Sequence, residues 1–295
     1  MRAALLSDTA SLRAWRDAAR RAGETVGFVP TMGALHEGHL SLAREARRAA
    51  ARAIVSIFVN PLQFGPGEDF ERYPRNLDAD LALLEGVAVD AVYAPSVADL
   101  YPAGFSTYVA QEGATEALCG ASRPGHFRGV TTVVAKLFHL VEPDVAIFGQ
   151  KDAQQAAIIR RMARDLSMRV EVRIAPTVRE KDGLALSSRN RYLSPEERAE
   201  ATVLFRALRE AAGLYAQGER RAGAIVEAAS EVVRRAERAE IDYVSVVHPG
   251  TIRPIGTTIK DRALVALAVK FGRTRLIDNA LLPDGAPLSW LGAEE

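Results

Sequence analysis

Cysteine is nearly missing from this chain: Cys119 stands alone among 295 residues. That excludes an internal disulfide framework and fits a reducing compartment, so the cytoplasm is the expected location. Lysine is scarce too, with five residues against thirty-three arginines, so a lysine at a strand exit stands out. Neither sign of charge dominates: 38 Lys plus Arg face 37 Asp plus Glu, a formal net charge of +1. This balance provides no global attraction to nucleic acid or to an anionic membrane. Long apolar runs are also lacking. The longest uncharged one, ALVALAV around residue 266, falls far short of the roughly 20 residues a membrane helix needs. The opening MRAALLSDTASLRAWRDAARRAG has too short an apolar stretch for a secretory signal. Neither a nucleic-acid nor a membrane partner is expected.

What is present is ordinary globular composition, 48% hydrophobic and 25% charged, in a chain long enough for two domains. Short apolar runs alternate with helical spacing. ETVGFVP, AIVSIFVN, DAVYAP, DVAIFGQ and MRVEVRIAPT read as strands, and the segments between them as helices. Strands alternating with helices imply βαβ units. The expected fold class is therefore α/β: a Rossmann-like, doubly wound parallel sheet of at least five strands over residues 1–177, with a second, smaller α+β lid domain over residues 178–295. In that second part, Ser194-Pro195-Glu196 starts a helix predicted to run to Ala216, and a second helix is predicted over Arg221–Arg238. IDYVSVV, RALVALAVKF and TRLIDNALL follow as three strands of a small antiparallel sheet, with Gly272 suited to the turn between the last two.

Ligands of open parallel sheets bind outside the carboxyl ends of the strands, so the segments leaving those ends hold the candidate residues. In PTMGALHEGHLSL, Gly33 and Gly38 flank His36 and His39 where a strand hands over to a helix. Glycine lets backbone approach a ligand, the helix start offers N–H groups to an anion, and two imidazoles can stabilise charge on a leaving group. The histidines are not four apart within a helix, which excludes the zinc-protease arrangement. In FVNPLQFGPGEDF, Asn60 and Gln63 can donate and accept at once, which suits a small hydroxy acid, and Gly65 and Gly67 allow the loop to close. In FGQKDAQQ, Lys151 and Asp152 stand at a helix entrance, where the ammonium can follow a phosphate and Asp152 can cap. In GLALSSRNRYLS, Ser187, Ser188 and Arg189 form a plausible clamp for phosphate oxygens. In GHFRGVTTVV, His126 and Arg128 can cap or touch ligand, while Val133, Val134 and Leu137 belong to the core.

Taken in order, PTMGALHEGHLSL, FVNPLQFG, YPR, GHFRGVTTVVAKLF, FGQKDAQQ and LSSRNRYLS resemble the pantoate–β-alanine ligase family, within the wider HxGH nucleotidyltransferases, over almost the whole chain. The resemblance implies an AMP-forming ligase that makes a C–N bond. It would condense (R)-pantoate with β-alanine to pantothenate, splitting ATP to AMP and pyrophosphate through a pantoyl adenylate. It also implies site roles. Met32, Gly33, Ala34, Leu35, His36, Glu37, Gly38 and His39 would line the ATP site, with His36, His39 and Lys151 catalytic. Gly149, Gln150, Lys151 and Asp152 would form a second ATP segment, and Val178 with Leu186, Ser187, Ser188 and Arg189 a third. Gln63 and Gln155 would hold pantoate, Gln63 also near the β-alanine position; Asn60 is counted with them as substrate-binding on the amide chemistry above. Mg²⁺ would travel with ATP, with Asp80 as a candidate ligand, and the assembly would be a homodimer. The chain departs from the family pattern at Gln150, where glutamate is common, at Ala153, where an aromatic residue is usual, and at Ala79, where some relatives carry a second acid. The competing expectation is another HxGH adenylyltransferase that keeps AMP in its product. An RNA-binding or synthetase-like module is disfavoured by the near-zero net charge and the short C-terminal part.

Overall fold

The computed structural model describes residues 3–292. Along the first part of the chain run β1 (Ala4–Leu6), α1 (Thr9–Arg21), β2 (Val26–Thr31), α2 (Glu37–Ala49), β3 (Arg52–Ile57), α3 (Leu77–Glu85), β4 (Ala91–Tyr93) and α4 (Val97–Leu100). They are followed by α5 (Cys119–Ser122), α6 (His126–Val141), β5 (Val145–Gly149), α7 (Ala153–Asp165) and β6 (Glu171–Ala175). The six strands form one sheet in the order β1-β4-β3-β2-β5-β6, and every pairing is parallel. β1, only three residues long, is the strand that periodicity does not reveal.

From β2 the chain moves to β3 and β4 on one side and later returns to β5 and β6 on the other. Strand order therefore reverses between β2 and β5, and the crevice beyond their carboxyl ends is where this architecture takes ligands. One core layer gathers Val29, Leu40, Ala43, Val55, Val92 and Ile147. The approach of α2 to β2 depends on Gly27, where a Cβ would lie 2.6 Å from the carbonyl oxygen of Ala46. α6 is buried along most of its length, and Val133, Val134 and Leu137 are core residues.

The second part contains α8 (Pro195–Glu200), α9 (Val203–Ala216), α10 (Ala222–Arg234), β7 (Ala239–Val247), β8 (Ala263–Phe271) and β9 (Thr274–Leu282). Its three strands form an antiparallel sheet in the order β7-β8-β9. Leu204, Leu208, Ile225, Val233, Val265 and Phe271 share one core. Ser194 and Glu197 form the reciprocal capping box that starts α8, with Pro195 in the first turn. The single helix predicted to reach Ala216 is broken, because α8 ends at Glu200 and α9 begins at Val203. At the break, the Thr202 hydroxyl donates back to the Ala199 carbonyl at 2.9 Å, a local bond that competes with the helical ladder. α10 is also shorter than the Arg221–Arg238 prediction, and Ala239 already belongs to β7. Gly272 has φ +54° in the turn from β8 to β9.

The chain separates into two compact units. One comprises residues up to Gln111, Arg123–Gly149 and Ile159–Ala175; the other comprises Glu112–Ser122, Gln150–Ile158 and the chain from Pro176 onward. Along the chain, segments of the two units alternate.

Candidate active site

In the first unit the chain leaves β2 at Thr31 and turns sharply. Gly33 and Ala34 have φ of +78° and +50°, and a left-handed alanine costs about 1 kcal/mol or more unless its surroundings hold it. Asp80, on α3, supplies that hold. Its Oδ2 accepts the Ala34 N–H at 3.0 Å and its Oδ1 the Leu35 N–H at 2.7 Å, in a site where Asp80 is only 3% exposed. A Cβ at Gly33 would sit 2.8 Å from the same Oδ2, so glycine is required there both for φ and for space. The Thr31 hydroxyl, which donates to the Ser56 carbonyl, also accepts the Gly33 N–H.

The turn delivers His36 to the N-cap of α2, where its Nδ1 accepts the Gly38 N–H at 3.2 Å. A neutral imidazole that accepts at Nδ1 carries its proton on Nε2 and presents a donor there. His39 lies one turn on, its ring centroid 4.2 Å from that of His36. Ala34 and Leu35 bury their side chains in the core, leaving backbone as their only means of contact. Glu37 is exposed and ion-paired with Arg44 on its own helix.

Asn60 and Gln63 belong to a short 3-10 turn after β3. Asn60 is 1% exposed and its amide is fully engaged. Nδ2 donates to the Gly129 carbonyl at 3.1 Å and to Gln63 Oε1 at 3.0 Å, while Oδ1 accepts from the Tyr101 hydroxyl at 2.8 Å and the Leu62 N–H at 3.3 Å. Burial raises the Tyr101 pKa, which keeps that phenol a donor. Asn60, expected to touch substrate, is thus a brace for Gln63. The Gln63 amide nitrogen also lies 3.1 Å from Met32 Sδ. Its backbone carbonyl accepts from His126 Nδ1 at 2.8 Å and from Arg123 at 3.2 Å.

Arg123 forks onto Glu68 at 2.7 and 2.5 Å, joining the Gly65–Gly67 loop to the start of α6. Burial pushes the Glu68 pKa up, but hydrogen bonds and charge from Arg123 outweigh it, so the net shift is downward. Sequence reading overlooked Arg123 and Glu68. The only local hint is an arginine three residues ahead of His126 in SRPGH.

In the second unit Gln150–Asp152 form a 3-10 turn leading directly into α7. Lys151 Nζ is 3.7 Å from Asp152 Oδ2. Gln155 follows in the first turn of α7 and is half-buried. Its neighbour Gln154 accepts the Cys119 N–H at 3.0 Å and donates to the Ala114 and Ala117 carbonyls. Val178 and Leu186 are joined by a backbone bond of 3.0 Å. Beyond them the Ser187 hydroxyl accepts the Arg189 N–H at the head of a 3-10 turn over Ser188–Tyr192. Lys151, Leu184, Ser187, Asn190, Leu276 and Asp278 line one small cavity, uniting the lysine turn with the serine segment.

The metal expectation fits poorly. Both Asp80 oxygens accept backbone N–H groups, and among the described residues no group of three or more His, Cys, Asp or Glu side chains is arranged to hold an ion. No helix among the described residues is long and apolar enough to cross a membrane.

The parallel sheet thus delivers paired imidazoles to a helix start at its switch point. The family model described as pantoate-beta-alanine ligase matches residues 4–281. A pantothenate synthetase of Moorella thermoacetica is 56% identical over 278 residues, covering 94% of this chain and 98% of that protein. Another, from Acetivibrio thermocellus, is 57% identical over 260 residues, covering 88% and 92%. The crystal structure of the pantothenate synthetase from Thermus thermophilus superposes with a TM-score of 0.88 at 49% identity, covering 94% of this chain and 98% of that one. The Francisella tularensis pantoate-beta-alanine ligase complexed with beta-gamma ATP and beta-alanine gives a TM-score of 0.78 at 31% identity, covering 95% and 97%. The chain belongs to the pantoate–β-alanine ligase family.

Proposed function

We propose that this chain condenses (R)-pantoate with β-alanine, cleaving ATP to AMP and pyrophosphate by way of a pantoyl adenylate. The observation that carries this reading is the His36–His39 pair, with rings 4.2 Å apart at a helix start, in a chain that matches the ligase family over residues 4–281. In the first step a pantoate carboxylate oxygen attacks the α-phosphorus and the bond to pyrophosphate breaks. Negative charge builds on both sides of phosphorus, and positioned donors stabilise it. The Nε2–H of His36, the His39 imidazole and the Lys151 ammonium are the donors assigned to it. In the second step the β-alanine amine attacks the acyl carbon, the bond to AMP breaks, and the amine loses a proton.

Gln63, held at both its amide and its carbonyl, and Gln155 are assigned to pantoate, with Asn60 bracing Gln63. The turn from Met32 to His39, Gly149–Asp152, Val178 and Leu186–Arg189 are assigned to ATP, Ala34 and Leu35 through backbone only. Mg²⁺ enters as part of the nucleotide substrate, and Asp80 is assigned to the His36 turn. A homodimer in the cytoplasm belongs to the same proposal on family grounds.

Purified protein, ATP, Mg²⁺ and (R)-pantoate, with and without β-alanine, test the reading by mass spectrometry. Equal amounts of AMP and pantothenate, dependent on both acids, are expected. Absence of AMP, or AMP retained in the product, would refute it. Lys151→Ala is expected to slow adenylate formation by about 10²-fold or more, measured as pantoate-dependent exchange of labelled pyrophosphate into ATP.

A further inference from the structure

The lysine turn is held by a residue for which neither the motifs nor the reaction account. Asn279, on β9, is 3% exposed, and its Nδ2 donates to the carbonyl oxygens of Gln150 at 2.8 Å and Lys151 at 3.0 Å. Only the NH₂ end of a carboxamide can satisfy two carbonyls at once, so the orientation of Asn279 is set by its partners. The oxygen then faces Gln150 Nε2 at 3.4 Å. The residue before it serves the other nucleotide segment. Asp278, its side chain 1% exposed, accepts a fork from Arg179 at 2.5 and 3.0 Å, and Arg179 also donates to the Gly183 carbonyl at 3.0 Å. The Asp278 Oδ1 further accepts the Asn279 N–H at 2.8 Å, tying the two side chains into one network.

From this network we infer that Asn279 is a positioning residue for the ligase reaction, aiming Lys151 by clamping the backbone on which it stands, while Asp278 holds the hairpin that leads to Ser187. The inference rests on the proposed role of Lys151. Lysine has four rotatable stem bonds, so a fixed Cα narrows where its ammonium can reach. Two carbonyls of a tight 3-10 turn, bonded to one buried amide on β9 of the second unit, fix that Cα. Shifts of about 1 Å in such a group can cost about 10²-fold in rate. The two bonds of the clamp go to backbone carbonyls, and the remaining amide oxygen faces the Gln150 side chain.

The test is a double-mutant cycle on pantoate-dependent pyrophosphate exchange, with Asn279→Ala, Lys151→Ala and the pair, each checked for its melting temperature. Asn279→Ala is expected to lower the exchange rate at least tenfold in the parent, and less than threefold when Lys151 is already alanine. Equal factors in both backgrounds would overturn the inference, as would a rate within twofold of the parent. If Lys151→Ala alone leaves exchange near normal, the assigned role of Lys151 fails and the clamp has no catalytic object. Should Asn279→Ala not fold, Asn279→Ser, whose hydroxyl keeps one donor, carries the same cycle, with the same criteria.

Discussion

Asp80 joins conformation to chemistry at the level of a single residue. Its two bonds to Ala34 and Leu35 offset the cost of the left-handed Ala34 and so set the direction from which the chain enters α2. Asp80→Asn keeps the shape but turns one acceptor into a donor facing a backbone N–H. Hydrogen bonds to a charged group are worth about 1.5–3 kcal/mol, so we expect a stability loss of about 2–3 kcal/mol by denaturant unfolding. A drop in pyrophosphate exchange should accompany it. Were Asp80 instead a metal ligand, raising Mg²⁺ would restore the rate; we expect no such recovery across a Mg²⁺ titration. His36, Gly33 and Lys151 were legible because their spacing around a strand end is local. The contacts by which Asp80, Arg123 and Asn279 hold their partners were not, since each reaches across dozens of residues with no periodic pattern to mark it.

Between elements, the decisive contacts are places where a side chain is forbidden. Gly129, in α6, faces the turn that carries Asn60 and Gln63: a Cβ there would lie 2.2 Å from the Leu62 carbonyl oxygen and 2.7 Å from the Gln63 nitrogen. Its own carbonyl accepts from Asn60. Gly129→Ala must therefore push the turn away from the helix. Overpacking of this kind costs about 1–3 kcal/mol, and we expect a raised KM for pantoate with a smaller change in kcat, measured by steady-state kinetics. A wild-type KM in that variant would show that Gln63 does not depend on this contact. The hydrophobic rhythm announced α6 as a core helix, but it could not tell why the glycine stands in it. The division of the Pro195–Ala216 stretch into two helices was equally invisible, because Thr202 has helical neighbours and only its hydroxyl bond to Ala199 reveals the break.

Across the whole molecule the near-neutral charge conceals many arginine–carboxylate pairs. Hydrogen bonds from Arg44, Arg173 and Arg198 hold the carboxyls of Glu37, Glu171 and Asp182 below their usual range. Arg221 takes Glu219 down to about 2. At Glu68, burial works in the opposite direction, but the Arg123 fork prevails. Each of these groups has a folded pKa below its unfolded value, so its contribution is present above about pH 4.5. It is lost as pH falls through the folded pKa. We expect a melting temperature that is nearly flat from about pH 8 to 5 and falls below about pH 4. The difference between the parent and Arg123→Ala should shrink in the acid range. A melting temperature that rose on acidification would contradict the sign of these shifts.

By itself the sequence determined the alternation of strands and helices, the antiparallel character of the last three strands, and the family. Apolar periodicity, turn residues and ordered motifs are local properties that survive in one dimension. Only the tertiary structure decided that β1 completes a sixth strand, that segments of two compact units alternate along the chain, and that Asp80, Arg123 and Asn279 hold the residues the motifs display. Those outcomes depend on hydrogen bonds between side chains and distant backbone, whose partners exist only once the sheets have brought them together.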